Sequence, residues 1–209
     1  MTDWIAWHRG YDDPDSSLAR RLDVVRRRFD EALETLGARA RRVLSLCAGD
    51  GRDVIPVLAE RCAEGRPAVL LIEEDARLAA VAARHATAVG LETVRTVVGD
   101  AADRDAFVDF LPVEVLMLCG IFGNISEEDI QVTINAVPAL VAPGGMVIWT
   151  RGRFNHDLRP RIRRWFAEAG LIEVSFDGDP EPFGVGVARL PGCAVPTGSL
   201  PQRLFRFLR

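Results

Sequence analysis

Short apolar runs alternate along the chain with segments of helical period, and this alternation restricts the fold more than any other feature of the sequence. Between these runs, apolar residues recur at spacings of three or four, as in amphipathic helices. Such alternation is typical of βαβ units and parallel sheets. The runs of strand type are residues 43–46, 68–72, 94–98, 113–118, 146–150 and 171–176.

The run 68–72 is apolar at every position, as expected for a central parallel strand that is covered on both faces. Near the C-terminus, residues 183–190 and 204–208 could each pair as a strand, which would place antiparallel character at one edge. The sequence therefore predicts an α/β fold with a mostly parallel seven-stranded sheet, an antiparallel edge and helices on both faces. The third unit is predicted to contain a helix with Phe107 and Phe110.

A long amphipathic helix is predicted before the first strand. Leu18, Leu22, Val25 and Phe29 begin an apolar stripe that continues to residue 36, and Gly37 supplies a stop signal. We therefore divide the chain into an N-terminal segment with a cap helix, residues 1–37, and a main domain, residues 38–209.

Size and cysteine spacing restrict the class of protein. A chain of 209 residues fits one α/β domain, and no apolar run approaches the length of a membrane span. The N-terminus has no pattern of a signal peptide. The four cysteines are widely spaced without a CxxC pair, so neither a zinc site nor a disulfide framework is expected. We expect reduced thiols and a cytoplasmic location.

The charged residues exclude several kinds of protein. All 26 basic residues are arginines, so chemistries that need a lysine are excluded, namely P-loop NTPases, pyridoxal enzymes and Schiff-base aldolases. The net charge of −4 argues against a general nucleic-acid binder. We expect a small-molecule substrate and neither a nucleic-acid nor a membrane partner; the sequence does not indicate an oligomeric state.

A turn of small residues, Cys47 to Gly51, connects the first strand to a helical segment. Gly49 and Gly51 lack side chains and can adopt positive φ, so a ligand can approach the backbone closely. The following helix adds unpaired N–H groups. A tight turn without a ligand is the alternative interpretation.

Polar or small residues also follow the next three strands: Glu73, then Asp100, then Cys119 with Gly120. Ligands of open parallel sheets bind at the carboxyl ends of the strands, where the strand order reverses. A carboxylate after the second strand can accept hydrogen bonds from a ribose diol, and one after the third from an exocyclic amine. Together these ends predict a site for an adenosine-containing cofactor, although each carboxylate alone could be a helix cap or a solvated turn.

A dinucleotide fingerprint fits this turn poorly. When Gly49 is aligned with the middle glycine of G-x-G-x-x-G, Cys47 and Arg52 occupy the other two glycine positions. Arg52 would place a bulky side chain where helix and strand must approach closely. Dinucleotide binding is therefore disfavoured.

The arrangement instead resembles the class I S-adenosylmethionine-dependent methyltransferases over about residues 40 to 176. Their first motif, an acidic residue, an apolar residue and G-x-G-x-G, corresponds to Ser45–Gly51, and their P-G-G corresponds to residues 143–145. Ser45 replaces the usual carboxylate near the methionine amino group, and Cys47 replaces the first glycine. The resemblance implies a cofactor site at Ser45, Cys47, Ala48, Gly49, Asp50, Gly51, Glu73, Glu74, Asp100, Ala101, Cys119 and Gly120.

The resemblance implies in-line transfer of a methyl group from S-adenosyl-L-methionine to a small molecule, with S-adenosyl-L-homocysteine as the product. The family's N-methyltransferase motif is absent from residues 118–122. Two alternatives stay open at this point. One is a catalytically degenerate methyltransferase-like binding domain, and the other is a Rossmann NAD-dependent oxidoreductase.

Six residues are candidates for acting on the acceptor. A base is needed only if the acceptor loses a proton, and the candidates are His156 and His8. Surface or packing roles are the alternative for both. Tyr11 lies in an aromatic N-terminal segment with Trp4 and Trp7 that could anchor the chain or cover a pocket. Candidate substrate-binding residues are Tyr11, Asn124, Arg151 and Arg153, and the two arginines would suit a carboxylate or phosphate.

Overall fold

Seven strands form one sheet in the order β3-β2-β1-β4-β5-β7-β6. The computed structural model describes residues 9–153, 156–193 and 200–208. Strands β1 to β5 are parallel neighbours, and β7 lies antiparallel between β5 and β6. The predicted α/β fold is thus confirmed. The strands are β1 (Arg42–Leu46), β2 (Ala68–Glu73), β3 (Val94–Val98), β4 (Val113–Leu118), β5 (Val141–Gly152), β6 (Ile172–Asp177) and β7 (Phe183–Arg189).

The helices begin where the sequence supplies side-chain caps. The Ser16 hydroxyl accepts from the Ala19 N–H at 3.0 Å, and the Ser126 hydroxyl accepts from the Asp129 N–H at 3.1 Å. Asp75 caps the helix after β2. The α-helices are α1 (Ser17–Leu36), α2 (Ile55–Ala59), α3 (Ala76–Ala88), α4 (Glu127–Leu140) and α5 (Arg159–Glu168).

Two predicted elements differ in the structure. The helix expected around Phe107 is replaced by two 3₁₀ turns, Arg104–Ala106 and Val108–Phe110. The link between β3 and β4 is short and ends at Pro112, which cannot donate a helical hydrogen bond. Residues 204–208 do not form a strand of the sheet; this segment makes one isolated bridge, between Phe207 and Ile125.

Both faces of the sheet are covered by apolar side chains. Val25, Phe29 and Leu33 of α1 pack in one cluster with Val43 and Met117 of the sheet. The opposite face is covered by α4 and α5. Helix α1 therefore covers part of the sheet, while the boundary at residue 37 stays a prediction.

Within the described ranges, no helix combines the length and apolar character that membrane crossing requires. Cys47, Cys62, Cys119 and Cys193 carry free thiols.

Candidate cofactor site

The register of the sheet brings the ends of β1, β2 and β4 to one level. Ser45 lies opposite Leu71 on one side and Met117 on the other. The order of strands reverses between β1 and β4, because β2 and β3 lie on one side of β1 and β4 and β5 on the other. This reversal is where ligands of open parallel sheets bind. Two residues beyond the Ser45 level, the three strands reach Cys47, Glu73 and Cys119.

The turn after β1 has the backbone conformation that its small residues predict. Gly49 and Gly51 have φ of 58° and 73°, and Cys47 adopts 57°, which L side chains rarely tolerate. A Cβ atom on Gly51 would lie 2.6 Å from Cδ1 of Ile55. The Ala48 N–H donates to the Ile72 carbonyl at 2.9 Å, which fixes the turn against β2.

Glu73 connects this turn to the end of β2. Its Oε2 accepts from the Gly49 N–H at 2.8 Å, and its Oε1 accepts from the Asp75 N–H at 2.9 Å. Each oxygen retains a lone pair for a ligand, because a carboxylate offers about four acceptor sites. Glu74 is exposed. Of the two predicted cofactor-site residues here, Glu73 is thus the one bonded to the turn.

Asp100 lies at the same edge, beyond β3. Its Oδ1 accepts from the Ala102 N–H at 2.9 Å, and its Oδ2 accepts from Arg203 Nη2 at 2.7 Å. Burial raises the pKa of the Cys47 thiol, and the charges of Glu73 and Asp100 raise it further. The Gly99 N–H donates to the Glu73 carbonyl at 3.0 Å, so Asp100 follows directly beside the end of β2. The turn and both predicted carboxylates thus lie at one edge, with buried Ala101 next to Asp100. Sequence reasoning missed Arg203, which only the course of the C-terminal segment brings here.

Asp50 is buried and paired with Arg52. Nε of Arg52 lies 2.8 Å from Asp50 Oδ1, and Nη2 lies 2.5 Å from Oδ2. The Arg52 guanidinium lies over the Tyr11 ring, 4.7 Å from its centroid. The Tyr11 hydroxyl accepts from Arg21 Nη2 at 2.7 Å, and burial raises the pKa of this hydroxyl. Tyr11 therefore lies beside the turn, in contact with Arg21 and Arg52; Trp4, Trp7 and His8 lie outside the described residues.

The loop after β4 is held by three side-chain contacts. The Gly120 N–H donates to Thr150 Oγ1 at 2.8 Å, and Asn124 Nδ2 donates to the Gly120 carbonyl at 2.7 Å. Arg151 Nη1 donates to the Phe122 carbonyl at 2.7 Å. A Cβ atom on Gly120 would meet nothing within 4 Å, so space is open at this strand end. The predicted substrate residues Asn124 and Arg151 shape this loop, and direct contact with a substrate stays a prediction.

Arg153 and His156 are both exposed beyond β5. Arg153 Nη1 lies 3.3 Å from Asp179 Oδ1, and its Nε lies 3.5 Å from Asp157 Oδ2. Asp157 also accepts from Arg159 Nη2 at 2.7 Å, which holds its pKa near 2. Arg153 thus belongs to an ion-pair cluster.

Asp53 was not among the predicted site residues. It is 9% exposed, and its Oδ1 has no hydrogen-bond partner in the described part of the chain. Burial raises the pKa of its carboxyl to about 6. The sequence signal was a carboxylate two residues after Gly51, but only the structure reveals its burial.

An open groove of about 760 Å³ lies beside the turn, between α1, α2 and α3. Arg26, Ile55 and, from the turn, Asp50 contribute to its lining, whereas Glu73 and Asp100 do not. The groove therefore borders the turn at Asp50 and does not reach Glu73 or Asp100. Among the described residues, no group of three or more His, Cys, Asp or Glu is placed to hold a metal ion.

The strand order and the position of the turn define the class I methyltransferase fold, and solved structures share it. Magnesium protoporphyrin IX methyltransferase (ChlM) from Synechocystis PCC 6803, with bound SAM, superposes with a TM-score of 0.66 at 13% identity, covering 90% of this chain and 91% of that one. An O-methyltransferase family protein from Burkholderia thailandensis superposes with a TM-score of 0.63 at 18% identity, and the match covers 89% of this chain and 63% of that one.

The dimethyltransferase RosA from Streptomyces davawensis superposes with a TM-score of 0.55 at 18% identity, and the match covers 78% of this chain and 54% of that one. The chain thus spans less than two thirds of the Burkholderia and Streptomyces proteins. No protein-family model and no curated protein matches the sequence. At these identities the likeness confirms the fold that the sequence resemblance predicted.

Proposed function

We propose that the chain is an S-adenosyl-L-methionine-dependent methyltransferase that acts on a small molecule. The observation that carries the proposal is the position of the glycine turn, Glu73 and Asp100 together at the switch point of the sheet. The fold shared with ChlM, whose structure contains bound SAM, supports it.

The residues present fit the cofactor chemically. Glu73 keeps acceptor capacity for the ribose hydroxyls although it bonds two backbone N–H groups. Asp100 keeps capacity for the adenine amine. The glycines of the turn let a ligand lie against the backbone, and the open space at Gly120 lies at the adjoining strand end.

S-adenosyl-L-methionine supplies an activated methyl group on a sulfonium centre. The chain itself must bind both partners in line and exclude water, which is catalysis by proximity. No base is required unless the acceptor must lose a proton. In that case His156 and His8 are the candidates, and the product that remains bound is S-adenosyl-L-homocysteine.

We assign acceptor binding to the ends of β4 and β5, together with Tyr11 beside the turn after β1. Tyr11, Asn124, Arg151 and Arg153 are the candidate contacts, and the arginines favour an acceptor with a carboxylate or phosphate. The net charge of −4 favours a small molecule over nucleic acid. The four free thiols support a cytoplasmic location.

A binding domain without catalysis is the second candidate, because Ser45 carries no charge where the family pattern has a carboxylate. The dinucleotide alternative is weaker. Arg52, ion-paired with Asp50, stands where the third glycine of that fingerprint would be required.

Calorimetric titration with S-adenosylmethionine, S-adenosylhomocysteine and NAD separates these functions. The proposal predicts binding of both sulfur compounds and none of NAD. Failure of both sulfur compounds to bind at millimolar concentration would refute it. Binding without methyl transfer to any offered acceptor would support the non-catalytic domain.

A further inference from the structure

The buried carboxylate of Asp53 is not explained by the internal contacts of the protein. It follows the glycine turn and precedes α2, and its Oδ1 is without a partner among the described residues. A buried carboxylate without an ion pair is costly, so an arrangement of this kind indicates a ligand or a catalytic role.

The arginines nearby are committed to other groups. Arg52 bonds both oxygens of Asp50. Arg26 Nε donates to the Arg52 carbonyl at 2.8 Å, and Arg21 donates to the Tyr11 hydroxyl. Arg26 lowers the pKa of Asp53 only as a minor effect against burial. The backbone N–H groups of Asp53 and Val54 also lower this pKa, but burial outweighs them. Among the described residues no ion pair balances the carboxylate, so a cationic ligand group would satisfy it.

Asp53 follows Gly51 by two residues, and its charge acts on a different thiol from the charges of the predicted adenosine site. Cys47, at the end of β1, is influenced by Glu73 and Asp100. Cys119, at the end of β4, is influenced by Asp53 instead. Asp53 therefore lies in the segment between the turn and α2, close enough to the end of β4 for its charge to act on Cys119, whereas Glu73 and Asp100 lie at or just beyond the ends of β2 and β3.

We propose that Asp53 binds the ammonium group of the methionine end of the cofactor, and so replaces the carboxylate that Ser45 does not provide. This inference rests on the proposed function. A ligand with its adenosine on Glu73 and Asp100 would extend across the turn toward Asp53. Its ammonium would then meet the one buried carboxylate oxygen that lacks a hydrogen-bond partner in the described part of the chain.

The test compares two ligands on Asp53→Asn. S-adenosylhomocysteine carries the ammonium, and 5′-methylthioadenosine lacks the whole amino-acid end. By calorimetry at pH 8, Asp53→Asn should weaken S-adenosylhomocysteine roughly 10- to 100-fold, because a hydrogen bond to a charged group is lost. Its affinity for 5′-methylthioadenosine should stay as in the wild type. Thermal unfolding of the variant verifies that it is folded.

Two variants serve as controls. Asp23→Asn removes a carboxylate of α1 that is largely exposed, and it should change neither affinity. Glu73→Gln should weaken both ligands, because both contain the ribose.

The outcomes are distinct. If wild-type protein binds neither ligand, the proposed function fails. If it binds S-adenosylhomocysteine and Asp53→Asn binds it equally well, the proposed function survives and the role of Asp53 is refuted; a cationic acceptor would then be the ligand to examine. An equal loss for both ligands would also refute it, because that pattern indicates a general distortion of the turn.

Discussion

At the scale of single residues, three carboxylates near the strand ends have different surroundings and therefore different properties. Glu73 accepts two backbone N–H groups, and Asp75 pairs with Arg77, which lowers its pKa to about 2. Asp53 is buried, and its pKa is raised to about 6. Buried carboxylates that lack a partner reduce stability, and proteins retain such groups mainly at functional sites.

Asp53→Asn should stabilise the protein at pH 7.5. The native pKa of about 6 exceeds the ordinary 3.8, so the folded state binds the proton more tightly and stability falls as pH rises between these values. The variant should therefore be more stable above pH 6, by up to about 3 kcal/mol, and lose this advantage near pH 4. The titratable neighbours are Asp50, Arg26, Tyr11 and Cys119. Urea unfolding of both proteins from pH 4 to 8 measures this difference in stability. A variant less stable than the wild type at pH 7.5 would contradict the prediction.

Asp75→Asn is a control for which the expected change in stability has the opposite sign. Its native pKa is depressed, so its contribution to stability is present above pH 4 and is lost as pH falls toward 2. This variant should be less stable than wild type at pH 7.5.

Cys47→Val should destabilise the fold because of backbone conformation. A β-branched side chain at φ of 57° is strained, at a cost of about 1–3 kcal/mol. The matched change Cys62→Val is at an exposed position and should stay within about 0.5 kcal/mol of wild type. Equal free energies of unfolding for the two variants would show that the turn does not constrain residue 47.

At the scale of elements, side chains of β5 hold the loop that follows β4 through hydrogen bonds. Thr150 Oγ1 is the acceptor for the Gly120 N–H, and Arg151 bonds the Phe122 carbonyl. The open end of β4 thus depends on side chains from its neighbour strand, which are brought beside it by the β4–β5 register.

Thr150→Val should leave the Gly120 N–H without its acceptor. The expected cost is about 1–3 kcal/mol in the free energy of unfolding, with weaker binding of S-adenosylhomocysteine. Thr150→Ser keeps the oxygen and should retain most of both properties. If the serine and valine variants behave alike, the hydroxyl does not position the loop.

The elements also show which features a sequence can predict. The apolar run of β2 and the caps at Ser16 and Ser126 are local signals, and the structure has these elements where expected. The 3₁₀ turns around Phe107 and the missing strand at 204–208 depend on chain length and on available partners, which are tertiary properties. Glu73 and Asp100 could be identified from the sequence as site residues, because each follows a strand-type run.

The burial of Asp53 and the Arg203 contact with Asp100 could not be predicted in this way, because both depend on how the whole chain packs. Arg203 reaches Asp100 from the C-terminal segment, whose Leu204 and Phe205 are buried.

At the scale of the whole molecule, α1 completes one face of the sheet. Phe29 is fully buried in the cluster that contains Val43 and Met117. Deletion of residues 1–37 would expose that apolar face to water, so residues 38–209 alone should not unfold cooperatively.

Phe29→Ala tests the same packing with less disruption, and should cost about 3–5 kcal/mol in the free energy of unfolding. A cooperative transition of the 38–209 fragment with wild-type midpoint would show that residues 1–37 form a dispensable cap. Urea unfolding followed by circular dichroism measures both variants.

The central claim is that an adenosine-containing cofactor binds where the glycine turn meets the ends of β2 and β3. A crystal structure of the protein grown with S-adenosylhomocysteine tests this most directly. The account predicts the ribose hydroxyls on Glu73, the adenine amine on Asp100 and the ammonium on Asp53. Binding in the groove beside Arg26 and Ile55, or crystals without ligand at saturating concentration, would contradict it.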